Sequence, residues 1–121
     1  MPWKTDLRGR VFRLAAAILK MHGRLSSLGS PQAHMAGQLF RSASAIGALL
    51  EEAEVAASRR DMAVKQAIAL REARETVYWL RLLIAGGAYP DELSPLAMEA
   101  GEFVAMLTVS VRKLRAKVEH C

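Results

Sequence analysis

An all-α protein, an antiparallel up-down-up-down four-helix bundle, is predicted by three features of this 121-residue chain. Apolar residues make up 52% but aromatics only 6%, so Ala and Leu supply most of the apolar content, as in helical proteins. The eight glycines and four prolines fall in a handful of places. Elsewhere apolar side chains recur at steps of three and four, the spacing of one helix face. A chain of this length is expected to form one domain, 1–121, with a substantial core.

Helix one is predicted over 5–26, on the seam Leu7, Val11, Leu14, Ile18, Met21 and Leu25. Ser27-Leu28-Gly29-Ser30-Pro31 breaks the period, and Ser30 before Pro31 reads as an N-cap with proline at the first helical position. Helix two carries Met35, Leu39, Ile46, Leu49 and Leu50 to about Ala56. Small residues fill its middle (Ser42, Ala43, Ser44, Ala45, Gly47, Ala48) and predict a tight crossing. Gly47 costs about 1 kcal/mol of helix propensity relative to alanine, which close packing would offset.

Ser58, with Asp61 three residues on, is a capping-box-like start for helix three, Asp standing in for the usual Glu or Gln. Its seam is Ala63, Gln66, Leu70, Ala73, Val77, Leu80 and Ile84; Gly86-Gly87 ends it and Tyr89-Pro90-Asp91 forms a turn. Helix four starts near Asp91 or at Ser94-Pro95, on the seam Leu96, Ala100, Phe103, Leu107, Val111, Leu114 and Val118. Helices of about 22–28 residues, about 33–42 Å long and joined by short links, pack antiparallel.

A bundle needs one buried stripe per helix, and this chain has more. Phe12, Ala16 and Leu19 add a second stripe to helix one, Ile68, Trp79, Leu82 and Leu83 to helix three, and Met98, Val104, Met106 and Val109 to helix four. Large exposed apolar patches are rare on soluble monomers, so a homo-oligomer that buries the surplus is expected.

Charges organise the second hairpin. With the link near Ser58 as pivot, residues whose numbers sum to about 116 lie opposite each other, so Arg41 faces Glu75 and Glu51 faces Lys65, with Glu52 and Glu72 within a turn. A ferritin-like metal site would need Glu-x-x-His pairs, and His22, His34 and His120 do not follow a Glu at that spacing. The expected role of Arg41, Glu51, Glu52, Lys65, Glu72 and Glu75 is a structural ion-pair network that holds helix register.

No nucleophile elbow or glycine-rich phosphate loop is present, and no histidine sits near an obvious acid, so neither an enzyme nor a cofactor or small-molecule substrate is expected. The longest apolar stretch, 82–89, is far below the ~20 residues of a membrane helix and contains Gly86 and Gly87. Basic residues before the apolar run 14–19 look superficially like a signal peptide, but Lys20 ends the run and no small-residue cleavage site follows. A cytoplasmic location without membrane contact is expected. The single cysteine, Cys121, is read as a terminal thiol of no consequence.

The stretch Arg41-Ser42, Gly47-Ala48, Glu51-Glu52-Ala53, Ser58-Arg59, Asp61, Lys65, then 69–76 (Ala-Leu-Arg-Glu-Ala-Arg-Glu-Thr) and Tyr78-Trp79-Leu80 resembles the signature of a bacterial family. That family is the four-helix bundles called 23S rRNA intervening-sequence proteins. Asp6-Leu7, Gln38-Leu39 and 102–107 also fit, and the helix-three segment is the specific part. Leu49 stands where the family usually has Asn, and Met62 where it usually has Phe, so no role of that Asn carries over. The resemblance implies a homopentamer with no established activity. The related accessory proteins of diversity-generating retroelements form similar pentamers that bind a reverse transcriptase and nucleic acid through basic surface.

The formal net charge is +5, from 17 basic and 12 acidic residues. Residues 1–24 hold six basic side chains and one acid, and 103–121 hold Arg112, Lys113, Arg115 and Lys117 against Glu119. In an up-down-up-down bundle these share one end with Arg59 and Arg60, while Asp91, Glu92 and Glu99 gather at the other. Glu51, Glu52 and Glu54 dilute the basic end. The leading expectation is a non-enzymatic homo-oligomeric scaffold or interaction protein. The alternative is an RNA- or DNA-binding accessory protein that uses this basic rim and works beside a reverse transcriptase or ribosomal RNA; its candidate contacts are Arg8, Arg10, Arg13, Arg59, Arg60, Arg112, Lys113, Arg115 and Lys117, with no aromatic–basic reading motif.

Overall fold

The computed structural model describes residues 2–119, with side chains from Asp6 onward; His120 and Cys121 lie outside the described residues. Four helices follow one another: α1 (Pro2–Ser26), α2 (Gln32–Glu54), α3 (Arg59–Ala85) and α4 (Pro90–Glu119). Consecutive helices run antiparallel and α1 closes against α4, which it touches most sparsely. No strand occurs among the described residues.

The links differ in how they satisfy the helix ends. At the start of α3 the Ser58 hydroxyl accepts a hydrogen bond from the Asp61 backbone N–H at 3.0 Å, as the Ser-x-x-Asp spacing predicts. The end of α3 is a Schellman turn: Ala88 N–H bonds the Leu83 carbonyl at 3.0 Å and Gly87 N–H the Ile84 carbonyl at 2.9 Å. Gly87 has φ +87°, a left-handed conformation that disfavours a side chain, and Ala88 is buried beneath the turn.

One boundary expectation is corrected. Ser30 does not cap α2: the helix begins at Gln32, preceded by Pro31, with no side-chain cap bond. Its first turns are instead entered through Gly29, whose carbonyl accepts from Ala33 N–H at 2.8 Å. The fourth helix begins at Pro90, beside the first of its two expected starts, and is 30 residues long. Proline is suited to the first helical position, where its missing N–H would have had no helical partner. Asp91 and Glu92 in that first turn complement the helix dipole.

The core takes the α1 seam unchanged: Leu7, Val11, Leu14, Ile18, Met21 and Leu25 are all buried. On α3 the buried line runs Ala63, Gln66, Ala69, Ala73, Thr76, Leu80 and Leu83, so Leu70, Val77 and Ile84 move to its flank. Leu83, expected on the surplus stripe, belongs to the core. The reason is that α3 packs against α2 on one side and α4 on the other, and the middle of that contact goes to small residues. Ser42 and Ala43 of α2 and Ala69 and Ala73 of α3 have no exposed surface. On α4, the early start brings Leu93 into the core in place of Leu96, and burial ends at Val111. Leu49 is half-buried and packs against the core.

The tight level does not require glycine at position 47. A Cβ there would meet the Val11 side chain at 3.5 Å, ordinary van der Waals contact. Gly47→Ala is therefore expected to raise stability by about 0.5–1 kcal/mol, read as a higher urea midpoint with unchanged slope. A lower midpoint would show that the α1–α2 contact cannot accept a methyl group.

Candidate functional site

The hairpin of α2 and α3 is registered by polar groups at two depths. Inside, the Ser42 and Thr76 hydroxyls, both fully buried, lie 2.8 Å apart, and Thr76 also donates to the Glu72 carbonyl at 2.8 Å. Outside, Arg41 of α2 donates to Glu72 at 2.9 Å and to the Glu75 carboxylate, while its Nε reaches Gln38. The Arg41–Glu75 pairing and the nearby Glu72 follow the expected register. Arg41 is 49% exposed, so these pairs are worth little individually. The buried hydroxyls carry more of the alignment, because separating them would strand polar atoms in the core. A second buried pair, Ser110 donating to Gln66 at 2.6 Å, aligns α4 on α3.

The remaining expected pair does not form as anticipated. Glu51 pairs with Arg8 of α1 at 3.3 Å rather than with Lys65, because it projects from the α1 side of α2. Glu52 stands exposed and Lys65 half-buried, with no ion pair of their own among the described residues. Nor does Glu99 gather with Asp91 and Glu92 at an acidic end. Arg10 grips it through Nε and Nη2, the first bond at 3.0 Å, and reaches Glu102 at 3.1 Å. The Arg10 guanidinium also lies 5.2 Å from the Phe103 ring centroid. Its hydrogen bond holds the Glu99 carboxyl below the usual carboxylate range, against a smaller opposing effect of burial. Reciprocally, Glu99 and then Glu102 hold Arg10 above its ordinary value. At the opposite end of α1, Arg24 pairs with Glu92 at 3.7 Å and covers the Tyr89 ring.

These pairings redraw the expected basic rim. Arg8 and Arg10 are tied to carboxylates within the bundle. Arg13 remains exposed on α1. Arg60 and Arg115 do share one end, on either side of a cleft that also contains Val118 and Glu119. Arg59 begins α3 at that end, and Lys113 and Lys117 are exposed on α4.

Next to that cleft, a groove of about 570 Å³ runs between α3 and α4, with Arg71, Arg74, Arg112 and Arg115 along its walls and Leu70 and Val111 among its floor residues. Arg71 and Arg74 were not among the sequence candidates. A signal for them exists in the Arg71-Glu72-Ala73-Arg74-Glu75 run. Residues three apart share a helix face, so the glutamates form one row and the arginines another, about 100° around the helix. The glutamate row meets Arg41 of α2; the arginine row faces α4.

Among the described residues, no group of three or more His, Cys, Asp or Glu side chains is placed to hold a metal ion. His22 has Ser26 and the Phe40 ring as neighbours. No helix among the described residues is long and apolar enough to cross a membrane.

Fold and polar geometry together define a class: a four-helix bundle whose register is held by buried hydroxyl and amide pairs under surface ion pairs. The chain belongs to the 23S rRNA-intervening sequence protein family, whose model matches residues 6–109. It is also similar to a crystallised protein of unknown function from the S23 ribosomal protein family of Bacteroides thetaiotaomicron VPI-5482. The two are 29% identical, with a TM-score of 0.80 over 90% of this chain and 97% of that one. No curated protein matches it.

Proposed function

We propose that this protein is a non-enzymatic homo-oligomeric scaffold or interaction protein. The observation that carries the reading is the apolar stripe on α1, where Phe12 is 74% and Leu19 57% exposed, with half-buried Ala16 between them. A second patch lies on α4, where Met98 is 74% and Val109 50% exposed. Exposing such residues to water is unfavourable, and a neighbouring copy would cover them. Because the two patches occupy different helices, one can meet the other head-to-tail, the kind of contact that closes into a ring. Five copies is the stoichiometry that the family resemblance suggests.

Light scattering on the chain at micromolar concentration should give about 67 kDa, five times the 13.3 kDa chain mass. Phe12→Arg, and separately Met98→Glu, should reduce the particle to 13.3 kDa while helical circular dichroism is retained. A monomeric unmodified chain would refute the proposal.

A further inference from the structure

Most of the described arginines are either paired or gathered in one place; Arg13 on α1 and Arg81 near the end of α3 are exposed elsewhere, outside any ion pair. Arg8, Arg10, Arg24 and Arg41 each pair with a carboxylate. By contrast, none of Arg60, Arg71, Arg74, Arg112 and Arg115 is in an ion pair among the described residues. All five are exposed and line the α3–α4 groove or the cleft that continues it, the two sharing Arg115 and Glu119. Like charges brought together on facing helix walls repel one another, so the cluster is electrostatically unfavourable until an anion enters.

We infer that this groove holds the phosphodiester backbone of a nucleic-acid strand. Three features select that ligand. The cations are all arginine, whose planar fork matches phosphate oxygens in two-point contacts. They are also strung out lengthwise. Arg60 and Arg74 are 14 residues apart on α3, about 21 Å along its axis, the length of about six nucleotides of one strand at 3.4 Å each. A single nucleotide's phosphates cannot reach both ends. Lastly, Leu70, Val111 and Ala67 on the lining offer no hydrogen bonds to base edges, and the Thr108 hydroxyl donates its proton to the Val104 carbonyl at 2.6 Å, so the contact reads backbone and not sequence. Glu119 at the junction is the one carboxylate on the lining and disfavours the anion locally. The inference is independent of the proposed assembly, which uses other residues.

The test is fluorescence anisotropy with a labelled mixed-sequence 20-nucleotide RNA strand, titrated from about 50 to 200 mM salt. Four to five phosphate contacts predict a slope of about −3 in log affinity against log salt, a loss of about 60-fold over that range. Arg71→Gln with Arg112→Gln should halve the slope to about −1.5. The charge-matched pair Arg13→Gln with Lys20→Gln on α1 should leave the slope near that of the unmodified protein. Circular dichroism and light scattering on each variant separate loss of the site from loss of fold or assembly. Undetectable binding at about 50 mM salt would overturn the inference. So would an equal effect of the α1 pair, which would assign binding to net charge alone. Displacement of the RNA by polyglutamate or inorganic triphosphate at matched charge concentration would overturn it too, assigning the groove to an acidic protein segment or a small polyphosphate.

Discussion

Phe103→Ala is expected to destabilise the bundle by about 3–5 kcal/mol, the range for emptying a fully buried aromatic site. Phe103 is the largest side chain without exposed surface, and it packs within the core that Leu107 and Ala100 continue along α4. Its ring also faces the Arg10 guanidinium, so the substitution removes a cation–π contact as well as a hydrophobic volume. Against a total stability of about 5–15 kcal/mol, this loss leaves a marginal fold. Phe103→Leu, which refills much of the space, should cost only about 1–2 kcal/mol. Urea unfolding at one fixed protein concentration checks both, since assembly couples stability to concentration. A loss below about 1 kcal/mol for Phe103→Ala would mean that the α4 core is wrongly assigned.

Arg10→Met should have the next largest effect, about 2 kcal/mol at neutral pH. The Arg10 side chain is 21% and that of Glu99 31% exposed, which places the pair between a surface salt bridge and a buried one. Methionine keeps the apolar stem against Phe103 but leaves Glu99 partly buried without its partner. Lysine should restore little, because the two-point grip on Glu99 requires a guanidinium.

This effect has a defined pH dependence. Glu99 is held below its ordinary range, so its contribution is present above the unfolded carboxylate value of about 4.3 and disappears as pH falls through the lower native value. Arg10 is shifted upward, so its contribution is present throughout the working range and would be lost only at extreme alkalinity. The stability difference between the native chain and Arg10→Met should therefore shrink on acidification below about pH 4. A difference that stayed constant from pH 7 to pH 2 would show that the methionine acts through packing and not through charge.

Much of this architecture was legible from spacing. The α1 seam, the Ser58 cap, the glycine stop after α3 and the Arg41–Glu75 register all depend on residues close in sequence or on one hairpin with a short pivot. Less legible was the centre of α3, where Leu70 and Val77 suggested seam positions that the smaller Ala69 and Thr76 occupy. Hydrophobicity marks a face, but the closest approach of two helices goes to side chains with little volume, and alanine signals that only weakly. The Ser42–Thr76 pair was missed for a similar reason: a hydroxyl predicts a surface as readily as a buried partner.

Periodicity and turn chemistry act within a few residues, so they account for the four helices, the Ser58 start and glycine stop of α3, and its two charged rows. It is the packing of the helices that sets Glu51 and Glu99 against Arg8 and Arg10 and brings Arg71, Arg74, Arg112 and Arg115 to one groove. A helix can show which side chains share a face, but which neighbour that face meets depends on how all four helices pack. The same guanidinium becomes an internal strut or an open anion contact according to whether packing places a carboxylate opposite it.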